Sequence, residues 1–153
     1  MMLQCRDDVL FLTKMLVRIK SIVNTDGEKE IAQTIYSLIA SMPYFQANPS
    51  HVIKSPTVHD EIERYNVMAF VKGTKRSSGR TVILMGHVDT VGIDDYNLLE
   101  SAACEPDELH EAMKREDLPD NILEHLESDD WLFGRGALDM KSGIAGHFYL
   151  LKH

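Results

Sequence analysis

His87, Asp89 and Asp139 are the side chains of this 153-residue chain whose types and setting could do chemistry together. An imidazole and a carboxylate two positions apart project to one side of an extended strand. That suits a metal ligand with a helper, because a metal-bound imidazole usually gives its other N–H to a carboxylate. Asp139 would add a carboxylate oxygen from a separate loop. Zinc accepts both donor types, and a hydrolytic zinc site also keeps a position open for water. One histidine and one aspartate in direct contact are too few for a structural or a catalytic zinc site. By chemistry alone the site is incomplete, and a His-x-Asp pair by itself is common.

Rival constellations carry less. His51, His59, His110, His125, His147 and His153 read as structural or solvated. Cys5 and Cys104 lack His or Cys partners at metal spacing. The Gly-x-Gly at Gly134 and Gly136 lacks the rest of a dinucleotide fingerprint. A phosphate loop is absent, and Lys141-Ser142 alone is a weak signal.

The elements that must position the three residues follow from hydrophobic spacing. Residues 80–91 begin as a strand: Val82 to Met85 are consecutive and apolar, which suits burial on both faces. Gly86 then lets the backbone turn or approach a neighbour closely. His87 and Asp89 fall beyond the carboxyl end of that strand, where open α/β sheets bind ligands. Upstream, Val9, Leu12, Leu16 and Ile19 predict a helix over 6–22. Thr25 and Glu28 have the form of a capping box, opening a second helix over 26–42 with Ile31, Ile35, Leu38, Ile39 and Met42 inward and Pro43 ending it. Strands are expected at 51–54 and 66–72. The polar turn 75–79 would then make a hairpin of 66–72 with the key strand, so the sheet should be mixed. Downstream, Gly134 and Gly136 mark a tight loop that leads to Asp139, and 144–151 starts a helix.

The net charge of -8 is unevenly distributed. Residues 94–130 hold 14 acids against two bases, Lys114 and Arg115. Short helices are expected at 105–114 and 122–126, with Pro106 and Pro119 at their starts. The segment reads as a solvated surface excursion with no core role. Length predicts a single domain. No basic stripe interleaved with aromatics points to nucleic acid, and no apolar run is long enough to span a bilayer. Two acids near the N-terminus argue against a secretory signal, and two cysteines against a disulfide framework. The expectation is a cytoplasmic protein with no nucleic-acid or membrane partner.

Two stretches together are more specific than either alone. Gly86-His87-Val88-Asp89-Thr90-Val91 and Phe133-Gly134-Arg135-Gly136-Ala137-Leu138-Asp139-Met140-Lys141 resemble the two N-terminal signatures of the co-catalytic zinc family. That family includes aminoacylases, glutamate-releasing carboxypeptidases, acetylornithine deacetylase and succinyl-diaminopimelate desuccinylase. The opening residues 21–24 and 27–30 also look like the family's, and the long acidic segment looks like its arginine-utilisation, RocB-like branch. The resemblance implies that His87 ligates one zinc and that Asp89 supports it as the catalytic aspartate. Asp139 would bridge two zinc ions, a role that cobalt or manganese could share. Arg135 and Lys141 would hold the loop. Two departures stand out: the 52 positions between His87 and Asp139 exceed the family's usual spacing, and Ser142 replaces a frequent glycine.

The fold expected is α/β: the N-terminal part of a three-layer α/β/α zinc-hydrolase catalytic domain with a mixed, mostly parallel sheet. The family's Glu-Glu pair, its later ligands and its lid or dimerisation domain would lie beyond the chain. The function expected is hydrolysis of peptide or N-acyl amide bonds, incomplete in this chain. The substrate would be a small peptide or N-acyl amino acid, and dimerisation would use the missing domain. Two rivals remain: a non-catalytic binding or regulatory module whose acidic segment meets a basic partner, and an unrelated nucleotide-binding domain.

Overall fold

The structure is a computed structural model that describes residues 2–74, 79–128 and 130–152. Its main core is Leu16, Ile31, Ile35, Ile39, Phe45, Val52, Ile144 and Phe148. These come from three helices, a short helix and one strand. Helix α1 (Met2–Val17) contributes Leu16, while Leu12, Met15 and Ile19 pack beside it. The helix ends five residues before the 6–22 expectation. Residues beyond Val17 turn their backbone groups elsewhere: Ser21 N donates to Ile19 O at 2.8 Å, and Val23 N donates to Thr90 O at 2.9 Å. Bonds across the chain replace the next helical turn.

Helix α2 (Gly27–Ala40) buries Ile31, Ala32, Ile35 and Ile39, and Leu38 and Met42 pack against the same core. The expected capping box does not form. Glu28 accepts the backbone N–H of Asn24 at 2.7 Å and pairs with Arg64 at 3.3 Å. The Thr25 hydroxyl donates to the Ile22 carbonyl at 2.6 Å instead. Glu28 thus serves the Asn24 N–H and Arg64, a pairing that sequence spacing does not reveal. Pro43 opens a further short helix, α3 (Pro43–Ala47), in the first-turn position that tolerates its missing N–H.

Strands β1 (Val52–Pro56) and β2 (Tyr65–Ala69) pair antiparallel, with Val52 opposite Ala69 and Pro56 opposite Tyr65. The hairpin is therefore made by these two strands and not by 66–72 with the key strand. Of the polar turn, residues 75–78 lie outside the described residues. Among the described residues β1 and β2 form the only sheet. The chain is thus mixed helix and strand.

The key stretch departs from expectation. Residues 82–85 form no helix or strand, and Val82 to Met85 are between 47% and 85% exposed. A run of consecutive apolar residues is buried on both faces only when layers cover both faces and strands flank it. Among the described residues neither flank carries a ladder. Pairing begins at Thr90, in a parallel bridge with Ile22.

The acidic segment also departs from expectation. Its helices form where the prolines placed them: α4 (Pro106–Met113) and α5 (Asp120–Glu127), preceded by a 3₁₀ stretch over Asp94–Ala102. The segment is nevertheless not a solvated excursion. Ala103, Cys104, Leu109 and Leu126 are each at most 1% exposed. Ile93, Ala103 and Cys104 make a second small core with Ile22 and Tyr96. Two of the segment's carboxylates face cations at the end of α1: Asp107 pairs with Lys14 and, at 2.7 Å, with Arg18 just past the helix, which also reaches Glu105 at 3.2 Å. A count of charges hides this one-sided arrangement. Asp107→Asn should cost about 0.5–1 kcal/mol, shrinking at high salt, as read from urea unfolding at two ionic strengths. The ion pair with Lys14 holds the Asp107 carboxyl below its ordinary value. Its contribution is therefore present above the ordinary carboxylate pKa and lost as pH falls through the depressed one.

The last helix, α6 (Ser142–Lys152), buries Ile144, Ala145 and Phe148 against α1 and the main core. Among the described residues no helix is long and apolar enough to cross a membrane.

Candidate metal centre

His87 Nε2 lies 2.8 Å from Asp139 Oδ1, so two residues 52 positions apart meet at one point. On the other side of the ring, Nδ1 is 3.2 Å from the Asp89 carbonyl oxygen and 3.3 Å from Asp89 Oδ1. The three residues singled out from sequence are thus contiguous in space. His87 and Asp89 are roughly half-exposed and Asp139 is largely exposed. The imidazole has an acceptor at each nitrogen, an arrangement satisfied in full by the doubly protonated ring. Accordingly its pKa is raised above 6.5, chiefly by the hydrogen bond to Asp139.

Local backbone geometry explains how each residue gets there. A Cβ on Gly86 would lie 2.6 Å from Ile144 Cδ1 and 2.9 Å from Met140 Cε. Gly86 therefore serves close approach: it lets the backbone before His87 press onto α6. Asp139 sits in a widened turn, Ala137–Lys141, whose Asp139–Met140 peptide is cis. Gly136 enters that turn at φ 77°, and a Cβ there would meet Thr90 Cγ2 at 2.5 Å. One missing side chain thus serves both a left-handed backbone and contact between the two motifs.

The loop is held at both ends, by the residues assigned that task from the resemblance. Arg135 donates its backbone N–H to Ala103 O at 2.7 Å, pairs with Asp95, and lies over the Tyr96 ring at 5.0 Å. Lys141 is buried, and its Nζ donates to the carbonyl of Ile19 at 2.7 Å. Burial pushes its pKa down to about 8. The Asp95 partner and the buried lysine were not legible beforehand. Asp95 lay in the segment read as solvated, and a lysine carries no sign of burial in its spacing.

Zinc holds its N and O ligands at about 2.0–2.2 Å, which puts two tetrahedral neighbours about 3.3–3.6 Å apart. The His87–Asp139 separation of 2.8 Å needs a small rotation of two exposed side chains to reach that range. The donor types therefore fit two ligand positions on one ion once the hydrogen bond between them opens. Among the described residues no three His, Cys, Asp or Glu side chains converge as a ligand set. The pair would supply a share of a metal centre and not a whole one.

No family model and no solved structure matches the chain. It is 42% identical over 142 residues to Protein RocB of Bacillus subtilis (strain 168), covering 93% of this chain and 25% of that protein. It is 37% identical over 151 residues to Uncharacterized protein YqjN of the same bacterium, covering 97% of this chain and 27% of that protein. The chain spans about a quarter of the length of these curated relatives, and along nearly all of its own length it is similar to RocB-like proteins.

Proposed function

We propose that this chain contributes part of the metal centre of a hydrolase acting on peptide or N-acyl amide bonds. The observation that carries the reading is the meeting of His87 Nε2 and Asp139 Oδ1 at 2.8 Å with Asp89 behind the ring. In this reading His87 and Asp139 would hold the metal and Asp89 would orient His87. The substrate class is a small peptide or N-acyl amino acid in amino-acid metabolism. The similarity to RocB-like proteins and the paired signature motifs support it.

The corresponding fold is the N-terminal part of a three-layer α/β/α domain with a mixed, mostly parallel sheet. The unpaired apolar run Val82 to Met85 supports this, because it has the composition of a central strand and is exposed here. Further strands of a longer polypeptide would cover it.

Bound zinc would polarise the scissile carbonyl and lower the pKa of an attacking water. This chain's residues prepare for that. With a metal bound, Asp89 would accept a hydrogen bond from the His87 Nδ1–H, fixing the tautomer and leaving the Nε2 lone pair for the metal. Asp139, freed from its hydrogen bond to Nε2, would offer its negative charge to the same point. A carboxylate elsewhere in the complete protein would carry the proton from water to the leaving amine.

Metal and proton compete for Nε2. Because the His87 pKa is raised above 6.5, zinc affinity should climb with pH until that ring is deprotonated and then level off. Asp139→Asn should move the midpoint down. Calorimetric zinc titrations of the complete gene product across pH 5.5–8.5, in several buffers to count released protons, test this. An affinity independent of pH over that range would contradict the assignment of His87.

A further inference from the structure

Both halves of the candidate centre hang from one short strip, residues 19–23. Three hydrogen bonds tie the strip to the residues on either side of Asp89. The Ser21 hydroxyl donates to Val88 O at 2.5 Å, Thr90 N donates to Ser21 O at 2.8 Å, and Val23 N donates to Thr90 O at 2.9 Å. From the other motif, Lys141 Nζ reaches Ile19 O in the same strip. The strip itself has little room to move. A Cβ on Gly27 would lie 1.9 Å from Lys20 O and 3.1 Å from Ser21 Cα, so the start of α2 is pressed against it.

We infer that Ser21 is a positioning residue for the metal centre: its hydroxyl holds Val88, and with it Asp89 and His87, within hydrogen-bond reach of Asp139, from where a small side-chain rotation gives the spacing of two ligands of one ion. The inference rests on the metal reading above. Ser21 is fully buried, and a buried hydroxyl that merely filled space could be replaced by a methyl group at little cost. This one instead takes the carbonyl of the residue between His87 and Asp89. Without it that carbonyl is left to find another donor, and the peptide that sets the direction of Asp89 turns with it. The contacts at risk are the 3.2 and 3.3 Å approaches of His87 Nδ1 to Asp89. Ser21 touches neither metal nor substrate in this scheme; it acts through Asp89 and His87.

The probe is cobalt(II) alone, added to the metal-free complete gene product. Its visible absorption reports ligand geometry and its titration reports affinity. Ser21→Ala should fold with a weakened cobalt affinity, about 10- to 100-fold as for other groups that orient metal ligands, and with altered absorption bands. Ser21→Thr, which keeps the donor, should restore both. A folded Ser21→Ala with unchanged affinity and spectrum overturns the inference. Should Ser21→Ala not fold, Ser21→Cys, with similar size and a weaker donor, is read the same way: intermediate affinity supports the role and unchanged affinity removes it. His87→Ala and Asp139→Ala separate the two readings. If cobalt binding is indifferent to both, the metal reading falls and takes this inference with it. If both abolish binding while Ser21→Ala does not weaken it, only the inference falls.

Discussion

His87→Ala and Asp139→Ala should each lower the zinc affinity of the complete gene product by about 100- to 1,000-fold. A four-ligand zinc site is worth about 10–16 kcal/mol, so one ligand carries about 2.5–4 kcal/mol. At 1.4 kcal/mol per tenfold that is two to three orders of magnitude. Asp89→Ala should be milder, about 10- to 100-fold, because it orients a ligand without being one. All three side chains are substantially exposed, so the substitutions should leave folding intact. Metal content by elemental analysis and competition with a chelator give the numbers. Wild-type affinity in both ligand variants would end the metal reading. A loss confined to His87→Ala would leave a histidine site without the Asp139 contribution.

The stability of the wild type relative to Lys141→Met should rise by about 3 kcal/mol between pH 8 and 10.5. The unfolded lysine titrates near 10.5, whereas burial holds the folded one at about 8. Below pH 8 both states carry the proton and the full cost of burying the charge is felt. Between the two values the unfolded chain binds more protons, so stability increases with pH; above 10.5 neither does and the cost is gone. The gap between 10.5 and about 8, at 1.36 kcal/mol per unit, sets the size. Taking the difference from Lys141→Met removes other groups, including Cys104, whose thiol is pushed up by burial and acts with the opposite sign. Urea unfolding at pH 7.5, 9 and 10.5 reads the slope. Parallel pH profiles for the two proteins would mean that Lys141 titrates as an exposed lysine does.

These two expectations draw on different sources. His87, Asp89 and Asp139 were visible in the sequence because their residue types can ligate or orient a metal and their flanking motifs are specific. The helices were visible because apolar spacing is local: α2, α4, α5 and α6 start within a few residues of their expected positions, and prolines marked two of those starts. Charge was misread in the acidic segment for the same reason. Its 14 acids could be counted, but Leu109 and Leu126 facing inward, and Asp107 facing Lys14 and Arg18, depend on where α1 lies.

Sequence by itself determined the ingredients: an imidazole with a carboxylate two positions on, a second carboxylate in a glycine-bounded loop, and the periodicities of the helices that carry them. These are properties of residue type and near-neighbour spacing, which fix which atoms can donate electrons and which face of a helix is apolar. Tertiary structure alone decided that His87 and Asp139 meet across 52 positions and that Lys141 is buried. It also decided that residues 19–23 leave α1 to hold both motifs, and that Val82 to Met85 stay without strand partners. Each of these depends on which backbone donors and acceptors, distant in the chain, end up paired, and a local pattern contains no term for that.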